Sequence, residues 1–120
     1  MKITPISRQN HLCALVEGDG LLITDTASAL EVLMQAQYEA GSKAIVIAKE
    51  RIHPDFFILS TGLAGEILQK YINYAGKIAI YGDFSGYTSK PLHDFMFESN
   101  QGRDVFFVSN REEAVDRLTR

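Results

Sequence analysis

Three short apolar runs constrain the fold of this 120-residue chain more than any other feature. They lie within residues 44–48, 77–81 and 105–108, and polar residues or glycines bound them. Runs of this length, rich in β-branched and aromatic residues, are typical of strands buried on both faces of a parallel sheet. Segments with helical periodicity separate the runs, so the sequence predicts strands that alternate with helices.

The start of the chain predicts an antiparallel hairpin. Residues 2–7 and 12–17 have strand character around a polar turn, and Pro5, which has no amide hydrogen, places the first strand at a sheet edge. The whole order is ββαβαβαβα, which predicts one α/β domain with a mixed, mostly parallel five-stranded sheet. The strands at 44–48, 77–81 and 105–108 are expected to be parallel.

The helix boundaries are predicted from capping residues, glycines and proline. Thr24 or Asp25 caps the first helix and Gly41 ends it. Its predicted buried stripe is Ala27, Leu30, Leu33, Met34 and Tyr38. The second helix is predicted over residues 61–75 with Gly76 as its stop, the third from near Pro91 to before Gly102, and the last from a capping box that begins at Ser109.

Composition excludes several classes of function. The net charge is −3 and the pI about 5.5, and the Lys and Arg residues are scattered singly, so nucleic-acid binding is not expected. No apolar stretch approaches the roughly 20 residues that span a membrane. The single cysteine, Cys13, excludes an internal disulfide and is expected to be a small buried hydrophobe. We expect a cytoplasmic protein without a cofactor or bound metal.

Several segments of the sequence resemble one known family. The segments are 54–57, 61–70, 82–85, 88–90, 97–103 and 105–109. They are similar to DUF4180, a bacterial family of unknown function, and the resemblance covers nearly the whole chain. It implies no particular activity.

The order of elements also resembles the STAS (SpoIIAA-like) fold of anti-sigma-factor antagonists and sulfate-transporter tails. Those domains carry a small-residue loop in which a kinase phosphorylates a serine, and residues 60–65 look like that loop. The resemblance implies a regulatory role and makes Ser60 the candidate phosphorylation site. Two features differ: Leu59 stands where those domains have an acidic residue, and a long segment separates Ser60 from the preceding strand.

Polar residues follow the predicted parallel strands, where ligands bind in open α/β sheets. They are Asp25, Lys49, Glu50, Asp83, Ser85, Ser109 and Asn110. Glu50 and Asp83 come after adjacent strands and are placed to share a proton or a magnesium-like cation. The alternative is structural, with Asp25 a helix cap and Asp83 a turn residue.

A second pattern predicts a site for a small anion. The predicted set is Ser60, Thr61, Gly62, Asp83, Ser85 and Lys90. Helix-terminal amides and hydroxyls would hold the anion and Lys90 would supply charge, while a carboxylate nearby opposes it. The alternatives are that Gly62 and Gly65 let the helix approach the sheet closely, and that residues 83–90 form a plain solvated loop.

Aromatic residues in irregular segments predict an interaction surface. Phe56, Phe57, Phe84 and Tyr87 are expected to form an apolar patch for a protein partner or a second copy of the chain. The histidines, His11, His53 and His93, form no recognisable catalytic or metal-binding spacing. No catalytic residue is therefore assigned.

These patterns favour a non-enzymatic binding or regulatory module that acts through a protein partner or a small anionic ligand. The alternative is a small phosphate-handling enzyme, with Glu50, Asp83 and Lys90 around a carboxylate-lined pocket at the strand carboxyl ends. The absence of convergent titratable groups in the sequence favours the binding module.

Overall fold

The computed structural model describes residues 1–120 and has the predicted order of elements. The strands are β1 (Lys2–Arg8), β2 (His11–Glu17), β3 (Ala44–Ala48), β4 (Lys77–Tyr81) and β5 (Val105–Val108). The helices are α1 (Thr26–Ala40), α2 (Leu63–Asn73), α3 (Lys90–Asn100) and α4 (Arg111–Thr119). Between β3 and α2 lie three short 3₁₀ turns, at Lys49–Arg51, Pro54–Phe57 and Leu59–Thr61. The prediction of a single α/β domain is confirmed. No helix combines the length and apolarity needed to cross a membrane.

The sheet has its five strands in chain order, with β1 antiparallel to β2 and all other pairs parallel. This confirms the predicted topology, including the hairpin at one edge. Gln9 and Asn10 form the hairpin turn with φ of 52° and 66°. Asparagine tolerates positive φ better than most residues, and two such residues in succession match the right-handed twist of the strands.

The two faces of the sheet are covered unequally. Each connection between parallel strands advances in the same direction, and right-handed crossovers then keep α1, α2 and α3 on one face. The strand residues on that face are Ala14, Val16, Ile45, Ile47, Ile78, Ile80 and Phe107. Those on the other face are Cys13, Leu15, Val46, Ala79, Phe106 and Val108. Only α4 covers this second face, where it packs against all five strands.

Helix α1 is rotated from the predicted orientation. Its buried residues are Ala29, Val32, Leu33, Ala36 and Ala40. Of the predicted stripe only Leu33 is fully buried, and Tyr38 is 86% exposed. Alanines on the inner face let the helix lie close to its neighbours, whereas a stripe of large side chains would hold it away. The predicted cap Asp25 and stop Gly41 are confirmed, with Gly41 at φ 70°.

Helix α2 begins and ends at different residues from those predicted. It starts at Leu63 because the preceding residues form a 3₁₀ turn that ends at Gly62, whose φ is 80°. The left-handed residue after the helix is Ala75, with φ of 59°, and not Gly76. Gly76 has a steric role instead, since a Cβ there would lie 2.8 Å from Leu33 Cδ2.

Helix α4 begins one residue later than predicted. Its cap is Asn110, whose side chain accepts a hydrogen bond from the Glu113 amide at 2.9 Å. Ser109 donates its own amide to the Glu113 carboxylate at 3.0 Å. The two interactions tie the end of β5 to the first turn of α4 and satisfy amides that the helix leaves unpaired.

The last residue of α3 pairs with the free edge of β5. Asn100 Nδ2 donates to the Phe107 carbonyl at 3.0 Å, and Asn100 Oδ1 accepts from the Phe107 amide at 2.8 Å. This side-chain amide makes the two bonds that a neighbouring strand would make. It therefore satisfies the exposed edge of the sheet at that residue.

Candidate functional site at the carboxyl edge of the sheet

The carboxyl ends of β2–β5 lie at one edge of the sheet, as parallel pairing requires. Lys49 and Glu50 follow β3 directly, Gly82 and Asp83 follow β4, and Ser109 follows β5. The sequence predicts that these residues lie together at one edge of the sheet, and the order and direction of the strands agree with this. We call this region the carboxyl edge.

Lys49 is the central cation of the carboxyl edge. Its ammonium lies 3.8 Å from the Glu50 carboxylate, 5.0 Å from the ring centre of Tyr87 and 5.9 Å from that of Phe84. Its side chain is only 21% exposed. The lysine stem crosses Gly82 so closely that a Cβ there would lie 2.7 Å from Lys49 Cγ. Glycine is therefore needed after β4 for this arrangement.

Lys49 acts on both Glu50 and Asp83. Its ammonium contacts the Glu50 carboxylate and acts electrostatically on Asp83. No group of three or more His, Cys, Asp and Glu side chains is arranged to hold a metal ion. The sharing of a proton or a cation by Glu50 and Asp83 stays a prediction.

The carboxylates of Asp83 and Asp25 have structural roles, because each accepts a hydrogen bond from a backbone amide. Asp83 accepts the Ser85 amide at 2.9 Å, which closes a turn, and Asp25 caps α1 by accepting the Ser28 amide at 2.8 Å. The hydroxyl and the amide of Ser85, together with the charge of Lys49, lower the pKa of Asp83 from its ordinary value of 3.8. Asp83 is therefore a carboxylate at neutral pH, which does not suit a general acid.

We expect Ser85→Ala to raise the pKa of Asp83 toward 3.8, because it removes the hydroxyl that contributes most to the lowering. Lys49→Gln should raise it less. The pKa of Asp83 is lower in the folded chain than in the unfolded chain, so its ionised carboxylate stabilises the fold at pH values above the unfolded-state pKa. This stabilisation is lost as the pH falls through the folded-state pKa. Carboxyl ¹³C shifts measured between pH 2 and 6 would test this, and an unchanged Asp83 titration in Ser85→Ala would contradict it.

Two of the predicted anion-binding residues already have partners within the chain. Thr61 donates its hydroxyl to the carbonyls of Asp55 and Ile58, at 2.7 and 2.9 Å, so it stabilises its own turn. Lys90 lies at the start of α3 and pairs with Asp94 at 2.7 Å, which raises the pKa of Lys90. Neither Ser60, Thr61 nor Lys90 lines any of the five main surface cavities. Anion binding by Ser60, Thr61, Gly62, Asp83, Ser85 and Lys90 stays a prediction.

The four predicted interface aromatics form one cluster, but only two of them reach the surface. Phe56 and Phe57 are 1% and 4% exposed, so their assignment to an exposed patch is wrong. Phe57 contacts Phe56, Phe84 and Tyr87 with ring centres 5.1, 6.0 and 5.4 Å apart. The irregular segment 54–57 folds inward because the rings of Phe56 and Phe57 join the core on the sheet face that α1, α2 and α3 cover. Phe84 and Tyr87 are half-buried and remain available to a ligand.

Two cavities open at the carboxyl edge. One, of about 520 Å³, is lined by Gly82, Asp83, Phe84, Phe107, Val108, Ser109 and Glu113. The other, of about 230 Å³, is lined by Leu21, Lys49, Glu50, Ile52, Pro54, Phe57 and Tyr87. Glu113, Phe107 and Leu21 were not recognised from the sequence as site residues. The capping-box pattern after β5 was the available signal for Glu113, because it places α4 at this edge.

The other candidate side chains have structural roles. His93 bonds through its ring Nε2 to the Tyr87 carbonyl, and His53 accepts the Asp55 amide at 3.0 Å. Cys13 is fully buried between β2 and α4, as expected, and burial raises the pKa of its thiol. The Ser109 hydroxyl donates to the Glu113 carboxylate at 3.2 Å, and the one thiol of the chain is not exposed.

Comparison with known proteins places this structure in a family. A family model described as "Domain of unknown function (DUF4180)" matches residues 8–118. The chain belongs to the DUF4180 family. No curated protein and no solved structure matches it significantly. The resemblance of this DUF4180 domain to STAS domains, drawn from the order of elements and from residues 60–65, stays a prediction.

Proposed function

We propose that this DUF4180 domain is a non-enzymatic binding or regulatory module that takes a short segment of a partner protein at its carboxyl edge. The observation that carries the proposal is the larger cavity there, which combines an apolar floor with an acidic rim. Phe84, Phe107 and Val108 form the floor, and Asp83 and Glu113 form the rim. Concave apolar surfaces with a few placed polar groups are the usual form of ligand sites.

The rim selects for positive charge. One Glu113 oxygen accepts from Ser109, and its other oxygen, Oε1, has no hydrogen-bond partner in the chain. Asp83 is fully exposed, with Ser85 as its only close partner. A partner segment that carries an apolar side chain beside Lys or Arg would fill the floor and pair with the rim. The same carboxylates repel a small anion.

The enzymatic alternative has less support. It requires Glu50, Asp83 and Lys90 to converge, but Lys90 pairs with Asp94 and Lys49 already contacts Glu50. A second copy of the chain is a weaker candidate for the partner, because a domain with net charge −3 repels its own acidic surface. Neither objection applies to a basic partner segment.

Selection of peptides from a random heptapeptide display library against the immobilised domain would test the proposal. We expect enriched peptides to contain a large apolar residue next to Lys or Arg. Their affinity should fall about fivefold or more in Glu113→Gln, because one charged pair is lost, and should weaken with added salt. Phe84→Ala should weaken binding as well.

Glu31→Gln is the matched control, since Glu31 is an exposed glutamate on α1 and the same charge is removed. Its peptide affinity should equal that of the wild type. Peptides without an apolar–basic preference, no enrichment at all, or equal affinities for Glu113→Gln and Glu31→Gln would each contradict the proposal.

A further inference from the structure

The opposite, amino edge of the sheet carries a concave surface that is lined by cations. Two adjoining cavities there, of about 460 and 390 Å³, share Lys77, Leu118 and Arg120. Five of the twelve Lys and Arg residues line them: Lys43, Lys77, Arg103, Arg117 and Arg120. No Asp or Glu is among the lining residues. We call this surface the basic hollow.

Most of these charges have no carboxylate partner. Of the five cations only Arg120 forms a salt bridge, with Asp116 at 2.8 Å. Lys77 and Arg103 form neither a salt bridge nor a side-chain hydrogen bond within the chain. Of the seven Lys and Arg residues elsewhere, Arg8, Lys49, Lys90 and Arg111 are paired with carboxylates, whereas Lys2, Arg51 and Lys70 are not. The fold therefore gathers uncompensated positive charge at one place on a protein that is acidic overall.

Two of the cations are held in position by the surrounding structure. Lys43 donates to the Tyr74 carbonyl at 2.9 Å. Arg117 donates to the Asn100 carbonyl, and its guanidinium lies over the Phe106 ring with 4.4 Å between its Cζ and the ring centre. A guanidinium stacked on a ring keeps its edge accessible, and the Arg117 N–H groups that Asn100 does not use can donate to phosphate or carboxylate oxygens. The hollow is thus built before any ligand arrives.

We propose that the basic hollow binds a small molecule with two adjacent phosphate-like groups, of the diphosphate class. Two groups are required because the cations are spread over two adjoining cavities that share Lys77 and Arg120. A small ligand is favoured over a nucleic acid because the cations are confined to this hollow and the net charge of −3 repels a long polyanion. The site lies at the other end of the strands from the carboxyl edge and is independent of it.

Titration of the full chain with inorganic pyrophosphate, followed by backbone amide shifts and by calorimetry, would test this site. The amides of Lys43, Lys77 and Arg103 should move, and binding should weaken as salt is added. Lys77→Gln/Arg103→Gln should weaken binding about tenfold, through the loss of two charged contacts. Neither side chain is bonded within the chain, so folding should be unchanged.

The double variant Arg51→Gln/Lys70→Gln is the matched control. Like the test variant, it removes the charges of one lysine and one arginine. Both residues lie outside the hollow and have no carboxylate partner. We expect its affinity to match the wild type, and orthophosphate to bind more weakly than pyrophosphate. Unmoved amides at the hollow, equal losses in the two double variants, or tighter binding of a uridine dodecamer than of pyrophosphate would overturn the proposal.

Discussion

Replacing Phe57 with alanine should lower the free energy of unfolding by about 3–5 kcal/mol, the usual cost of removing a buried phenylalanine. Phe57 is 4% exposed, and its ring meets those of Phe56, Phe84 and Tyr87. It joins the irregular segment after β3 to the loop after β4. Its loss leaves a cavity and removes three aromatic contacts, and we also expect Tyr87 to become mobile.

Urea unfolding followed by circular dichroism and tyrosine fluorescence would measure this, since the chain has no tryptophan. Phe97→Ala is the control: Phe97 lies on α3 and is 67% exposed, so its removal should change stability by no more than about 0.5 kcal/mol. A loss below about 1.5 kcal/mol for Phe57→Ala, or equal losses in the two variants, would show that the aromatic cluster is not part of the stabilising core.

Replacing Asn100 with alanine should cost about 2–3 kcal/mol, because the Phe107 amide and carbonyl then lose their partners. Phe107 is itself 5% exposed, so water replaces those bonds poorly. Hydrogen exchange of the Phe107 amide should become faster, whereas amides in the middle of β3 should change only in proportion to global stability.

Asn73→Ala provides a close control. Asn73 is the last residue of α2, as Asn100 is of α3, but its side chain contacts only Gln69 on the surface. We expect little change in stability there. An unchanged Phe107 exchange rate in Asn100→Ala would mean that the edge of β5 is not held by this amide.

The strands could be predicted because their apolar runs carry their own signal. Residues 44–48 and 105–108 are too short for buried helices and too apolar for loops, so their local sequence determined their state. The orientation of helix α1 was harder to predict. Its apolar residues form two overlapping helical stripes, and only the close packing of Ala29, Ala36 and Ala40 in the core decides which one faces inward.

The candidate sites depended more on tertiary structure. The position of Lys49 at the carboxyl edge followed from strand order, but its contact with the Tyr87 ring depends on how two loops fold over each other. The basic hollow was missed because its cations are far apart in sequence. A signal was present: Lys43 precedes β3, Lys77 begins β4 and Arg103 lies just before β5. Parallel register brings such positions to one edge.

The coverage of the second sheet face by α4 alone has a consequence for the folding of the chain. Residues 111–119 follow every strand in the chain, so an intermediate that pairs all five strands before α4 docks leaves Cys13, Leu15 and Phe106 facing water. Until α4 docks, such an intermediate exposes one apolar face of the sheet and is prone to aggregate. During that interval the Cys13 thiol is also open to chemical labelling, and its protection would report the moment at which α4 docks.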